Sequence, residues 1–111
     1  MNTAVKEFIN TAVNCQLACN MCFDACLEED DVKMLAECIR LDRECADICG
    51  IAVDFVGRKG TITKEILEAC HKSCEACAAE CEKHTMMQHC QECAKACREC
   101  AEACQALMQQ I

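Results

Sequence analysis

The sequence predicts an all-α protein: an antiparallel, up-down-up-down bundle of four helices with a cysteine-lined core, forming a single domain over residues 1–111. The 111-residue chain has no proline and only three glycines, so long helices can run without interruption. Its sixteen cysteines recur at steps of three and four residues, the period of an α-helix. Short polar connections separate four such segments, and short connections make consecutive helices antiparallel neighbours.

The first two helices are expected over residues 3–28 and 31–57. Thr3 is the expected N-cap of the first helix, and the aspartates of the acidic turn at residues 29–31 are expected to cap the second. Glycines in the segment 57–60 permit a left-handed residue, which commonly ends a helix.

The last two helices are expected over residues 62–84 and 86–110. Thr61 or Thr63 is the expected start of the third helix. The segment 85–88, Thr-Met-Met-Gln, fits a capping box that opens the fourth helix.

The cysteines follow the template C-x-x-x-C-x-x-C-x-x-x-C, which is complete in helices one, three and four. Helix two has Asp42 in place of one cysteine, and Cys90 extends the stripe of helix four. This spacing puts the side chains on one face of each helix, where a bundle normally carries Leu, Ile and Val. The predicted metal ligands are Cys15, Cys19, Cys22, Cys26, Cys38, Cys45, Cys49, Cys70, Cys74, Cys77, Cys81, Cys90, Cys93, Cys97, Cys100 and Cys104.

Two other interpretations of the cysteines are weaker. Single buried cysteines often act as small hydrophobic residues, but a stripe on four helices packs less apolar volume than leucine would. Cysteines four apart on a helix have Cβ atoms ~5–6 Å apart, which is too far for a relaxed disulfide. Isolated bridges between helices stay possible, but thiols at every level of the core favour metal binding.

The charge of the core favours Cu(I), with several ions per chain. Thiolates bind Cu(I), Zn(II) and iron–sulfur clusters. A Zn(II) ion with four thiolates has a net charge of −2, whereas Cu(I) replacing one proton per thiol leaves a neutral core. Iron–sulfur ligands usually lie on loops that wrap the cluster. A zinc or iron–sulfur thiolate protein, or a copper-responsive regulator or chaperone, is the alternative.

Seven C-x-x-x-C pairs lie on the four predicted helices of this acidic chain, at 15/19, 22/26, 45/49, 70/74, 77/81, 93/97 and 100/104. In this pattern the chain resembles the cytosolic copper storage protein family over nearly its whole length. The resemblance implies a four-helix bundle, usually a homotetramer, that fills its core with thiolate-bridged Cu(I).

The two ends of the predicted bundle differ in composition. At one end Met34, Met86 and His84 each stand one helical step beyond the last cysteine of their helix, and His89 falls off this phase, nearer the rim. These side chains are candidate accessory ligands where copper enters. The alternative is that the methionines pack in the core and His84 caps a helix. The opposite end is expected to be closed by apolar residues: Phe8, Val56, Ile66 and Ile111.

Asp42 is a further candidate ligand, because it occupies a cysteine position of the template. The alternative, which the rarity of buried carboxylates favours, places Asp42 at the bundle edge, solvated or paired with Arg40 or Arg43.

Ile9, Val13 and Leu17 form an apolar stripe on helix one that points away from its cysteines. An outward apolar stripe is typical of an interface, and we expect this one to join copies of the chain in a homo-oligomer.

The remaining composition excludes several classes of function. A net charge of −8 and only three aromatic residues argue against nucleic-acid binding. The start of the chain lacks a signal-peptide pattern and no apolar run reaches the ~18 residues of a membrane span, so a cytoplasmic protein is expected. The sequence has no catalytic constellation, and we expect no enzyme. Copper donor and acceptor proteins are candidate partners.

Overall fold

A computed structural model describes residues 2–111. It contains four α-helices: α1 (Thr3–Leu27), α2 (Ala36–Arg58), α3 (Thr63–Glu82) and α4 (Gln88–Met108). A short 3-10 helix, Val32–Leu35, leads into α2, and residues 2–111 include no strand. Each helix packs against two others: α1 and α3 each contact both α2 and α4. The result is an antiparallel bundle 44 Å long. The predicted four-helix fold is confirmed.

The first two caps differ in detail from the prediction. Asn2, not Thr3, caps α1, because its side-chain oxygen accepts a hydrogen bond from the Val5 amide at 2.9 Å. Asp31 caps the 3-10 helix through the Met34 amide, at 3.3 Å. The acidic turn therefore starts a 3-10 segment, and the regular α2 begins only after it.

The turn between α2 and α3 does not use a glycine in the left-handed conformation. Lys59 takes that conformation, with φ of 56°. Gly60 serves a different purpose, because a Cβ atom there would lie 2.5 Å from the ring of Phe55. The expectation of a left-handed glycine was wrong, and the glycine is needed for close packing.

The capping box expected at the start of α4 is absent. Met87 is the N-cap residue and makes no side-chain cap. The Gln91 side chain instead donates hydrogen bonds to the carbonyl oxygens of Cys81, at 3.2 Å, and His84, at 3.0 Å. These two carbonyl groups also accept backbone hydrogen bonds from the amides of His84 and Met87, so Gln91 adds a second bond to each and ties the turn to α4.

The core has an apolar zone at one end and a sulfur zone in the middle. The apolar end lies where the described chain starts and finishes, and its buried side chains include Phe8, Val56, Leu67 and Leu107. Ile66 is partly buried against this core, as expected in part, but Ile111 is 60% exposed. Leu67 of α3 and Leu107 of α4 fill the space, whereas Ile111 lies beyond the end of α4.

The outer face of α1 differs from the prediction at one residue. Val13 and Leu17 are exposed, and Met21 continues the stripe by another turn. Ile9 is partly buried and packs against the core of its own chain. Within residues 2–111 the helices include none with an apolar stretch sufficient to span a membrane.

Candidate metal-binding core

All sixteen cysteines are buried side by side along the bundle axis, and none forms a disulfide. Neighbouring sulfur atoms lie 3.4 to 4.0 Å apart, the shortest separation being that between Cys38 on α2 and Cys81 on α3. The prediction that the cysteine stripes of all four helices meet in the core is confirmed. Their helical spacing suffices for this, because each helix turns its stripe toward the same axis.

The thiols form quartets whose four sulfur atoms all lie within 4.8 Å of one another. Neighbouring quartets share members, so that Cys15, Cys19 and Cys97 each belong to two of them. Three all-thiol quartets of this kind are Cys15/Cys49/Cys74/Cys100, Cys15/Cys19/Cys45/Cys97 and Cys19/Cys77/Cys93/Cys97. The sulfur atoms therefore make a continuous column, in which a bridging thiolate can contact more than one soft metal ion.

Asp42 lies inside this column, with an exposed fraction of 0%. Its Oδ1 accepts hydrogen bonds from the thiols of Cys77, at 3.3 Å, and Cys93, at 3.4 Å. The placement at the bundle edge was wrong, because Arg40 and Arg43 pair with acidic residues on the outer face of α2 instead. Thiol donors on three sides satisfy the buried carboxyl group without an arginine.

Burial, and after it the negative charge of nearby thiolates, first that of Cys93, together raise the pKa of Asp42 to about 8. Burial likewise raises the pKa of the Cys26 thiol to about 12 and that of Cys90, in both cases with a contribution from the charge of Cys38. These groups are therefore protonated in the metal-free protein near neutral pH, and a metal ion must displace their protons.

His89 also points into the column, although its position along the helix placed it off phase. Its Nδ1 atom lies 3.5 Å from the sulfur of Cys22, 3.6 Å from that of Cys90 and 4.0 Å from that of Cys26. Its Nε2–H donates a hydrogen bond to Glu29 at 2.9 Å. Because α4 begins at residue 88, His89 lies in the first turn and its ring can fold back over the end of the bundle.

The other three residues predicted at this end do not reach the thiols. His84 lies in the turn after α3 and donates a hydrogen bond to Glu80 of that helix, at 3.0 Å. Met34 is 54% exposed and Met86 is 90% exposed. Their predicted inward phase assumed regular helix, but residue 34 lies in the 3-10 segment and residue 86 in the turn before α4. Leu35, which the cysteine spacing does not identify, is a fully buried leucine at this end.

A family model described as copper storage protein matches residues 1–109. The chain belongs to the copper storage protein family. Among curated proteins it is similar to the uncharacterized cysteine-rich protein YhjQ of Bacillus subtilis, with 50% identity over 83 residues, which cover 75% of this chain and 76% of that protein.

Solved structures of copper storage proteins share the fold of this chain. A cytosolic copper storage protein from Streptomyces lividans with five coppers has a TM-score of 0.94 and 40% identity, covering 97% of this chain and 94% of that chain. The S. lividans protein is also known loaded with 10 copper equivalents. The apo copper storage protein 3 of B. subtilis has a TM-score of 0.85 and 48% identity, covering 93% of this chain and 97% of that chain.

Most charged side chains lie on the outside of the bundle, around the sulfur column. The ion pairs of the described arginines lie on the outer faces of the helices, among them that of Arg98 on α4 with Glu82 and Glu75 on α3. These charged side chains surround the column, whereas the carboxyl group of Asp42 is buried within it among thiol donors.

Proposed function

We propose that this chain is a cytosolic store for Cu(I), which holds many ions per chain through the thiolates of the bundle core. The observation that carries the proposal is the continuous column of sixteen buried thiols, whose quartets share members. A protein that carries a single ion needs only a few ligands, and these would not be repeated along a whole bundle. The cytosolic location is supported by the S. lividans relative, which is described as cytosolic.

Charge supports Cu(I) as the main cargo of the column. Each Cu(I) that replaces one thiol proton leaves the net charge of the core unchanged, so filling the whole column needs no buried counter-ion. Divalent ions at every quartet would accumulate charge in a core that contains no arginine or lysine among its buried residues. The acidic surface, from a net charge of −8, attracts cations toward the protein.

The proposed ligands are all sixteen cysteines, with Asp42 and His89 as accessory oxygen and nitrogen ligands inside the column. His84, Met34 and Met86 lie at the same end but outside the column, where they could contact copper only in transit. We propose storage and not catalysis, because a catalytic metal site needs an open coordination position and the column offers each ion other sulfur atoms.

The proposed store is a homotetramer, and the outer face of α1 forms the interface between its copies. Support comes from the exposed side chains of Val13, Leu17 and Met21, which follow one another at helical spacing. A groove of about 460 Å³ between α1 and α4 continues this surface, with Leu17 and Met21 in its lining. Ile9 contributes less than predicted, since it packs on its own core.

An anaerobic Cu(I) titration of the fully reduced protein tests the storage function. After removal of unbound copper, metal analysis should give on the order of 16 Cu(I) per chain, one for each thiol, because this ratio keeps the buried core neutral. Replacing the interior residue Cys74 by serine should lower the capacity, while Ser73→Ala beside it serves as the matched control. Saturation at one to four equivalents would contradict storage and favour a chaperone or a regulator.

A further inference from the structure

One quartet of the column differs in composition from the all-thiol quartets. Cys22 and Cys26 of α1 and His89 and Cys90 of α4 lie with their four donor atoms within 4.8 Å of one another. A set of three sulfur ligands and one imidazole nitrogen is common in structural zinc sites. We call these four residues the Cys3His quartet.

Five of the six separations between donor atoms in the Cys3His quartet are close to those of a tetrahedral site. Zinc bonds of ~2.3 Å to sulfur and ~2.0–2.1 Å to nitrogen place two sulfur ligands ~3.8 Å apart and a sulfur and a nitrogen ligand ~3.5 Å apart. The sulfur of Cys22 lies 3.9 Å from that of Cys26 and 3.8 Å from that of Cys90. The three sulfur-to-Nδ1 distances are 3.5, 3.6 and 4.0 Å. The sulfur atoms of Cys26 and Cys90 lie within 4.8 Å of each other, so they need to approach by at most about 1 Å to bind the same ion.

Glu29 supplies the outer partner that zinc-binding histidines usually have. Its carboxylate accepts a hydrogen bond from His89 Nε2–H at 2.9 Å. The other ring nitrogen, Nδ1, therefore carries the free lone pair and faces the three sulfur atoms. A carboxylate–histidine–zinc arrangement of this kind fixes the tautomer and raises the basicity of the ligand nitrogen. Glu29 comes from the turn after α1 and not from the cysteine template, so the template alone does not explain this contact.

Charge and position separate this quartet from the interior. Three thiolates and a neutral imidazole bring Zn(II) to a net charge of −1, whereas a four-thiolate site reaches −2. The His89 side chain is 22% exposed and that of Glu29 is 33% exposed, so solvent reaches the edge of this site. The three all-thiol quartets lie deeper, and the quartet Cys15/Cys19/Cys45/Cys97 shares members with both of the others, so the three cannot each hold a tetrahedral Zn(II) at once. The Cys3His quartet shares Cys22 with a quartet that has only three thiols, Cys22/Cys38/Asp42/Cys81.

We propose that the Cys3His quartet binds one Zn(II) ion per chain, in preference to the all-thiol quartets. The protein then has two kinds of metal site: a column suited to many Cu(I) ions, and one tetrahedral site for a divalent ion at the end of the bundle that carries His89. This proposal does not rest on copper storage, because it uses the ligand set and geometry of four residues only.

The test is a Zn(II) titration of the reduced, metal-free full-length protein, in anaerobic competition with a chromophoric chelator. One equivalent should bind more tightly than any that follow. Co(II), used as a spectroscopic substitute, should give the intense d–d absorption and the sulfur-to-cobalt charge transfer of a tetrahedral thiolate site at that first equivalent.

Two variants and two controls assign the site. His89→Ala should weaken binding of the first Zn(II) at least tenfold, and Glu29→Gln should weaken it by ~10–100-fold through the outer hydrogen bond. His71→Ala, which removes a histidine paired with Glu75 on the outside of α3, should leave Zn(II) affinity unchanged. His84→Ala is the second control, at the same end of the bundle. Circular dichroism confirms that each variant is folded.

Three results would overturn the zinc proposal: no tight first equivalent, several equivalents of equal affinity, or a first equivalent insensitive to both His89→Ala and Glu29→Gln. The Cu(I) capacity is measured separately. A full copper capacity without the zinc site would refute only this inference, whereas a zinc site with few coppers bound would refute only the storage function.

Discussion

The two ends of the bundle are built from different chemistry. At the apolar end, Phe8, Leu67 and Leu107 fill the space between the helices. At the opposite end, which we call the histidine end, His89 covers the sulfur column and is held by Glu29. The difference shows how a core rich in cysteine can coexist with a stable fold: hydrocarbon packing is concentrated where no metal ligand is needed.

The histidine end is not wholly polar, and the exception is informative. Leu35 is fully buried there, at the end of the 3-10 segment that leads into α2. It is the counterpart of the leucines at the apolar end and shields one side of the column. We therefore expect metal ions to enter past His89 and Glu29, whose side chains are only partly buried.

The largest expected effect comes from removing the main side chain of the apolar end. Phe8→Ala should reduce the free energy of unfolding of the metal-free protein by about 3–5 kcal/mol, because it leaves a cavity in a fully buried position. Copper bound per folded chain should not change. Chemical denaturation of the reduced protein measures the loss. Ile111→Ala is the control, and at 60% exposure it should change stability by less than about 0.5 kcal/mol. Equal effects of the two would contradict the proposed division between the ends.

Asp42 should make the stability of the metal-free protein depend on pH. Its pKa is about 8 in the folded state, above the ordinary value of 3.8, so the native state holds a proton that the unfolded state has lost between these pH values. Stability should therefore fall as pH rises from 5 to 8, by on the order of 3 kcal/mol at 1.36 kcal/mol per pH unit. Asp42→Asn should flatten this dependence. Denaturation curves at several pH values test it, and identical slopes for both proteins would show that Asp42 is not the group responsible.

A smaller effect, on the rate of Cu(I) uptake, should show which end of the bundle admits copper. His89→Ala should slow Cu(I) uptake several-fold and leave the final capacity almost unchanged, because the ring lies between solvent and Cys22, Cys26 and Cys90. Stopped-flow transfer from a Cu(I) chelator measures the rate. Met108→Leu at the apolar end is the matched control. Slower uptake in this control, with none in His89→Ala, would place the route at the other end.

The smallest effect concerns the turn at the apolar end. Lys59→Gly should raise the stability by up to about 1 kcal/mol, because a left-handed φ of 56° is strained for lysine and not for glycine. Lys59→Ala retains the Cβ atom and the strain, and should give no such gain. Thermal unfolding of the three metal-free proteins compares them. A gain from alanine equal to that from glycine would attribute the change to loss of the lysine charge instead.

Much of the fold and of the column could be predicted from the sequence, because the cysteine spacing matches the helical period along nearly all of each stripe. The errors lie where the helix is not regular. Met34 and Met86 were assigned to the column by extending that period into a 3-10 segment and a turn, where it no longer holds. Asp42 was expected at the edge on the general rarity of buried carboxylates, and the thiol donors of the neighbouring helices reverse that expectation.

The pairing of His89 with Glu29 was equally beyond the sequence. It joins residues 60 positions apart and depends on where α1 and α4 begin and end. The start of α4 lacks the capping box that was expected, so the position of the ring could not be inferred from spacing. Contacts that depend on the ends of helices are set by turn geometry, which the periodic pattern of the helix does not contain.

The central claim is that the apolar end and the helix packing keep the bundle folded before any metal binds, so that the column receives ions without refolding. Far-ultraviolet circular dichroism during the anaerobic Cu(I) titration tests this most directly. We predict a strongly helical spectrum for the reduced, metal-free protein that changes little as copper is added, while the melting temperature rises with loading. A random-coil spectrum that becomes helical only as Cu(I) binds would contradict the account, since the metal would then be forming the fold.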